Sequence, residues 1–289
     1  MWLLDGIKPY AAPYDFLILW AVLYIWTAAL YFIIGFIVER LGKSVRNLEI
    51  PALNGMERTG WRTIQNDRLH SMKCIIMTAF CTAGGLYAQY RGWAMAPAEL
   101  SVWTVVWTFA AATVLFDIWF YFSHRLMHTK YLLRWHKDHH RNRTPTTWTN
   151  DHFSLPDAFS TQCFFIIMPF LIPIPPLVFV GWRLFDQARG MVGHSGYEFF
   201  DNRMARWPSP LIAVLHHDMH HQRFNVNFAL QFSLWDRMFG TLDPDYDRLV
   251  AEMAADRRAG REPRARVGRA ADGGADANGR EADVAVRSH

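Results

Sequence analysis

Cysteine and charge are both scarce in this chain of 289 residues. It has only three cysteines, Cys74, Cys81 and Cys163, and each lies within an apolar run. An odd count in such positions excludes a disulfide framework and a cysteine-rich zinc module. Charged residues make up 19% of the chain, against roughly 25% in soluble globular proteins. The shortage argues against a disordered chain, and a net charge of +4 is too small for a dedicated DNA-binding protein.

The chain contains four long runs of residues without charge. They cover residues 16–38, 74–90, 101–116 with its continuation 118–122, and 158–182. Because about 20 apolar residues cross the hydrocarbon core of a bilayer, the first three runs predict membrane-spanning helices. The fourth contains Pro169, Pro173, Pro175 and Pro176, which a straight helix does not tolerate. It predicts two half-helices that form a hairpin and return to their starting side. The alternative is a soluble protein with long buried helices.

Lysine and arginine are distributed unevenly between the runs. Seven of them lie between residues 40 and 73, and six lie between residues 125 and 143. Only Lys8 precedes the first run, and only Arg91 separates the second from the third. By the positive-inside rule, we expect a multi-pass membrane protein with its N-terminus outside and its histidine-rich stretches on the cytoplasmic side.

The chain divides into three parts. Residues 1–100 hold N-terminal spans and a basic loop, and residues 101–245 hold the histidine-rich stretches. Residues 251–289 contain no aromatic residue and are rich in Ala, Arg, Gly and Asp. Such a segment buries little apolar area, so we predict a disordered C-terminal tail. The predicted fold class is all-α: an integral-membrane helical bundle with a cytoplasmic, histidine-rich helical cap over a dinuclear metal site.

Histidine is the outlier, because 11 of the 13 histidines lie between residues 124 and 221. Three short motifs, SHRLMH, WHKDHH and LHHDMHH, hold them as i, i+4 or i, i+3, i+4 sets. On a helix, each set places its imidazoles on one side. The members are His124 and His128, then His136, His139 and His140, then His217, His220 and His221. Eight imidazoles are too many for one ion of four to six ligands and suit two.

The spacing does not identify the metal. Neutral imidazole suits iron, copper, nickel and zinc, and the spacing does not separate iron from zinc or manganese. Zinc has no redox chemistry, so an oxidation of a lipid by O2 calls for iron. The sequence contains no flavin or nicotinamide fingerprint, so electrons for such a reaction must come from a separate carrier.

Two stretches resemble a known family. DIWFYFSHRLMHTKYLLRWHKDHHR, from Asp117, and HHDMHHQRFNVNFALQFSLWDRMFGT, from His216, are similar to the fatty acid hydroxylase and sterol desaturase superfamily of membrane-bound non-haem di-iron oxygenases. Within it, HSGYE and NFALQF look most like the cholesterol 25-hydroxylases and, less closely, the sphinganine C4-hydroxylases.

The resemblance implies a lipid oxygenase. It would hydroxylate an aliphatic carbon of a fatty acyl, sphingoid or sterol-like membrane lipid, using O2, two non-haem iron ions, and electrons from a cytochrome b5-like or ferredoxin-type carrier, with no nucleic-acid partner. It places the eight histidines above on the metals, with His194 as a further ligand and His216 beside them. His152 is off the pattern, because HFSLPD stands where sterol desaturases have His-Pro-Leu-Glu. Its role stays open.

Two carboxylates are candidate supports for the ligands. Asp117 interrupts an apolar run, where a charge is costly, and lies two helical turns before His124. We expect it to accept a hydrogen bond from a ligand imidazole, and Asp218 is a second candidate acceptor. We expect Asp236 and Arg237 to form a salt bridge with each other. The alternative functions are desaturation at the same site and metal transport or metal binding.

Overall fold

The described part of the chain is built from helices. The computed structural model describes residues 12–45, 48–51, 59–199 and 207–261. In chain order the α-helices are α1 (Ala12–Ser44), α2 (Trp61–Tyr90), α3 (Val102–Met127), α4 (Leu133–His136), α5 (Leu155–Gln162), α6 (Phe164–Leu171), α7 (Pro176–Gly193), α8 (Val214–Arg223), α9 (Leu234–Met238) and α10 (Tyr246–Arg258). Two short 3-10 turns, His139–Arg141 and Thr147–Thr149, lie between α4 and α5. The predicted all-α fold class is confirmed.

Among the described residues, three helices are long and apolar enough to cross a membrane. They are Asp15–Ser44 within α1, the whole of α2 and the whole of α3. Large apolar side chains on α1 and α3 stay exposed, among them Ile25, Val102 and Trp103. An apolar surface of this extent fits contact with lipid tails rather than with water. The side of the membrane on which each end lies stays a prediction.

The proline-broken run forms the helical hairpin that the sequence predicts. Helix α6 ends at Leu171 and α7 begins at Pro176. Asp157, at the start of the run, contacts His136, and His194, which ends α7, contacts His139, so both ends of the run reach the second histidine motif. The hairpin therefore starts and ends at the same level of the molecule.

Helix α2 is longer than a bilayer requires. Its 30 residues span about 45 Å at 1.5 Å per residue, whereas the hydrocarbon core is about 30 Å thick. The uncharged run predicts that this span starts at residue 74, but the helix already begins at Trp61. Its first turns, with the buried Asp67 and the neighbouring His70, reach the level of the histidine motifs.

The C-terminal prediction is wrong in its first part. Residues 251–258 belong to α10 rather than to a disordered tail. Tyr246, Leu249 and Met253 are buried and pack in one apolar cluster with Val214 and Leu215 of α8, which supplies the burial that the sequence alone does not show. Residues 262–289 lie outside the described residues, and disorder there stays a prediction.

Gly85 is a close-contact point between α2 and α6, and its substitution tests this packing. A Cβ atom at Gly85 would lie 2.1 Å from the backbone oxygen of Phe165, and a backbone cannot give way as a side chain does. We expect Gly85→Ala to destabilise the protein by about 1–3 kcal/mol, seen as a lower midpoint of thermal unfolding in detergent. Gly181→Ala is the control, since nothing lies within 4 Å of its Cβ position. Equal midpoints for both variants would contradict this packing.

Candidate metal centre

The first histidine motif lies at the end of α3. His124 is in the last turn and His128 is the residue that ends the helix. Their rings lie 5.0 Å apart, so the expectation that an i, i+4 pair shares one face is met.

The second motif does not form the continuous helix that its spacing predicts. Helix α4 ends at His136, and a 3-10 turn over His139–Arg141 follows. The Nε2 atoms of His136 and His140 lie 3.1 Å apart. His139 turns away from them, and its Nε2 lies 3.4 Å from Nε2 of His194. The expectation that all three imidazoles stack on one side is therefore wrong.

The third motif, on α8, divides in the same way. The Nε2 atoms of His217 and His221 lie 3.2 Å apart, while Nε2 of His220 lies 3.0 Å from Nε2 of His140. Successive residues on a helix are separated by about 100°, so His220 and His221 point in different directions. Each H-x-x-H-H motif thus contributes a pair of imidazoles to one site and a single imidazole to another.

The structure brings all nine predicted histidines into two adjacent groups. In each group the candidate ligand atoms lie within 4.8 Å of one another. The first group is His124, His128, His136, His140 and His220, and the second group is His139, His194, His217 and His221. The groups share a border, where the rings of His140 and His221 lie 4.7 Å apart.

Hydrogen bonds at Nδ1 determine the protonation of six of these rings. A carbonyl or a carboxylate only accepts, so the Nδ1 atom bonded to it carries a proton, and in the neutral ring Nε2 is then bare. In the first group, His124 donates to Phe228 O at 2.9 Å, His136 to Asp157 Oδ2 at 2.8 Å and His220 to Val226 O at 2.6 Å. In the second, His139 donates to His152 O at 3.2 Å, His194 to Gly190 O at 2.8 Å and His221 to Asn142 O at 3.0 Å.

The bare nitrogens face one another, and this arrangement fits a metal ion. His139 and His194 direct lone pairs at each other across 3.4 Å, and no proton is present on either Nε2 to join them. Neighbouring ligands at a metal–nitrogen distance of about 2.1 Å lie roughly 3 Å apart. The Nε2–Nε2 separations of 2.8–3.4 Å have this spacing. A cation between the rings turns a repulsive contact into ligation.

Burial lowers the pKa of six of the clustered imidazoles. It lowers the pKa of His194 to about 4. The pKa values of the buried rings His139, His140, His217, His220 and His221 lie well below the usual range, because burial is reinforced by the like charges of neighbouring imidazoles. Neutral imidazole is the form that binds a metal, so these rings need not lose a proton before they ligate.

Asp157 is a support for the centre that the sequence analysis missed. Its carboxylate accepts the Nδ1 proton of His136 at 2.8 Å, and both side chains are buried. A carboxylate behind a ligand imidazole orients the ring and increases its basicity. The sequence feature that could have indicated it is the acidic residue of HFSLPD, which directly precedes the uncharged run of residues 158–182.

The role predicted for Asp117 is wrong. Its carboxylate accepts hydrogen bonds from the backbone N–H groups of Leu230, Gln231 and Phe232, and from Nε1 of Trp235. It therefore holds the loop after α8 instead of a ligand imidazole. The buried carboxylate satisfies four donors, which explains a charge inside an apolar run.

His216 and its carboxylate partner lie behind the first group. Nε2 of His216 donates to Oδ2 of Asp236 at 3.0 Å, outside both groups, and its supporting role stays a prediction. The predicted salt bridge between Asp236 and Arg237 is wrong, since Arg237 pairs with Asp247 at 2.6 Å. Asp218, the second candidate acceptor, accepts from Gln222 in its own helix.

A small cavity of about 40 Å³ touches both groups. His124 and His136 of the first group and His139, His194 and His217 of the second line it. Its other walls are Phe116, Phe120 and Leu230 on one side and Arg183, Asp186 and Gln187 on another. The aromatic wall is continuous with the apolar core between α3, α6 and α7, so the cavity joins the histidines to the membrane helices.

Residues 109–241 match the model of the fatty acid hydroxylase family. This segment belongs to that family. Cholesterol 25-hydroxylase of Homo sapiens is 33% identical over 132 residues, which cover 45% of this chain and 48% of that protein. A probable Delta(7)-sterol 5(6)-desaturase of Neurospora crassa is 28% identical over 181 residues, with 60% and 51% covered. Methylsterol monooxygenase 1 of Rattus norvegicus is 30% identical over 141 residues, with 48% and 47% covered.

The fatty acid hydroxylase segment holds all nine histidines of the two groups. The chain spans about half the length of the curated relatives it matches. No solved structure matches it.

Proposed function

We propose that this chain is a membrane-bound oxygenase that hydroxylates an aliphatic carbon of a lipid. The observation that carries the proposal is the pair of adjacent groups of imidazoles whose candidate ligand atoms converge. Support comes from the fatty acid hydroxylase segment that contains them and from relatives named as sterol hydroxylases, desaturases and monooxygenases.

The proposed metal is iron, with one ion in each group. Iron bound there would supply the redox chemistry that oxidation by O2 requires, which zinc does not have. In the overall reaction one oxygen atom enters a C–H bond of the lipid and the other leaves as water, with two electrons and two protons consumed. The nine imidazoles hold the metal, and Asp157 orients one of them.

The cavity positions the carbon that reacts. Its volume of about 40 Å³ exceeds the roughly 10–15 Å³ that one buried water needs, so we expect it to take a small part of the lipid chain and not the whole molecule. Phe116 and Phe120 guide that part of the lipid from the apolar core, and the buried rings around it exclude bulk water. A lipid that approaches from the membrane helices therefore presents one carbon to both groups.

The proposed orientation places this centre on the cytoplasmic side of a multi-pass membrane protein. Arg134 and Lys137 are exposed beside the second histidine motif. Exposed positive charge at this point favours an acidic electron carrier, of the cytochrome b5 or ferredoxin type, and steers its approach. The nine imidazoles converge at one level instead of lining a path across the membrane, which argues against metal transport.

Product analysis in a lipid-defined host tests the reaction. We expect expression of the chain to yield a lipid that has gained one oxygen atom, detected by mass spectrometry and labelled from ¹⁸O₂. The matched control is His220→Ala, which removes a buried member of the first group and should yield no product. A lipid that has lost two hydrogens would instead support desaturation, the second candidate, which the Neurospora relative favours. Metal uptake into vesicles without oxygen consumption would contradict both.

A further inference from the structure

Asp67 is a buried carboxylate on α2, far in sequence from the histidine motifs and outside residues 109–241. Its Oδ1 accepts a hydrogen bond from Nδ1 of His152 at 2.6 Å. Its Oδ2 accepts from Nδ2 of Asn142 at 2.6 Å and from Oγ1 of Thr149 at 3.0 Å. All three donors are buried and belong to the segment between the second histidine motif and α5. One carboxylate therefore fixes this segment at both ends.

Asn142 and His152, two of the three donors to Asp67, also orient rings of the second group through their backbone carbonyls. The carbonyl oxygen of Asn142 accepts the Nδ1 proton of His221 at 3.0 Å, and that of His152 accepts the Nδ1 proton of His139 at 3.2 Å. Asp67 thus acts on two ligand rings through two residues that hold them. This also gives His152 a role, since its side chain binds the carboxylate and its backbone binds a ligand.

A separate set of hydrogen bonds orients the first group. His124 and His220 donate to the carbonyls of Phe228 and Val226. That segment is held by Asp236, which accepts from the backbone N–H of Phe228 at 2.8 Å and of Ala229 at 3.0 Å. Through these bonds, Asp67 does not hold the residues that orient the first group, and Asp236 does not hold the residues that orient the second group.

We propose that Asp67 is a positioning residue that sets the metal affinity of the second group independently of the first. The inference rests on the proposed metal centre. Loss of a partner behind a ligand typically weakens metal binding 10–100-fold. In Asp67→Asn, the amide would meet donors with its own N–H groups, so the fixed segment relaxes and His139 and His221 lose their orientation.

Metal competition on the full-length protein in detergent tests this inference. The probe is Fe(II) titrated anaerobically against a chelator. We expect wild type to bind two ions and Asp67→Asn to bind one with wild-type affinity and one about 10–100-fold more weakly. Thr149→Val keeps the carboxylate and removes one of its donors, together with the hydroxyl oxygen that accepts from Asn142 Nδ2 and Thr146 N. It should weaken the same ion by a smaller factor. This milder variant covers the case in which Asp67→Asn does not fold.

Double variants identify which ion is affected. Asp67→Asn should add little to the loss in His194→Ala, because both act on the second group. Combined with His128→Ala, it should weaken the ion that remains. Equal weakening of both ions would show a general structural role and overturn the inference, as would two unchanged affinities in both Asp67→Asn and Thr149→Val. A wild type that binds no metal would instead be a failure of the proposed centre.

Discussion

We expect His220→Ala and His217→Ala each to remove one of two bound metal ions and to lower lipid oxidation by more than about 100-fold. The two rings belong to different groups, and both are buried. Substitutions behind a ligand already cost 10–100-fold in activity or affinity, so the loss of a ligand itself should cost at least as much. Metal content per chain, by elemental analysis, and product formation are the two measurements, and they should fall together.

His216 is the control residue for the His220→Ala and His217→Ala variants. His216 precedes His217 on α8 but donates to Asp236 instead of facing a group. His216→Gln keeps a donor for that carboxylate and should retain both metal ions. Full metal content and full turnover in His220→Ala and His217→Ala would contradict the assignment of these rings as ligands.

Much of the fold could be read from composition and spacing because it depends on local properties. Uncharged runs predict the three long helices, and four prolines in eight positions predict the break between α6 and α7. The start of α2 was missed because its first turns are polar and are held by contacts to the distant residues Asn142 and His152.

The membership of the two groups could have been predicted in part. On a helix, residue i+4 is rotated by about 40° from residue i, while residue i+3 is rotated by about 60° in the opposite direction, so residues i+3 and i+4 lie about 100° apart. The spacing H-x-x-H-H therefore contains a pair and a single ring, as α8 shows with His217, His221 and His220. The second motif reaches the same division without a helix, since a turn at Lys137 and Asp138 separates His136 from His139. That turn has no clear local signal.

The supporting carboxylates were the least predictable part. Asp117 and Asp67 bind partners more than 70 positions away, and helix geometry says nothing about such contacts. The sequence pattern predicts the nearest histidine on the same helix face as the partner of Asp117. The true partners are backbone N–H groups, which sequence patterns do not mark.

We expect substitution of Asp117 to destabilise the protein strongly. Asp117→Ala leaves three backbone donors and the indole N–H of Trp235 without their acceptor in a buried site. Each buried donor left without an acceptor costs about 1–3 kcal/mol, so the loss for all four should be on the order of 4 kcal/mol or more. Because the loop that Asp117 holds continues from Phe228, whose carbonyl orients His124, we expect the first metal ion to be weakened as well.

Comparison of Asp117→Ala with the milder variant Trp235→Phe separates the loss of the carboxylate acceptor from a simple loss of packing. Trp235→Phe removes one donor and most of the ring stays, so the acceptor keeps its three backbone partners and the cost should be about 1 kcal/mol. Thermal unfolding of both variants, with metal content measured on the folded fraction, gives the comparison. If Asp117→Ala unfolded at the same temperature as Trp235→Phe, the carboxylate would not be the element that holds the loop, and the first group would need another source of its rigidity.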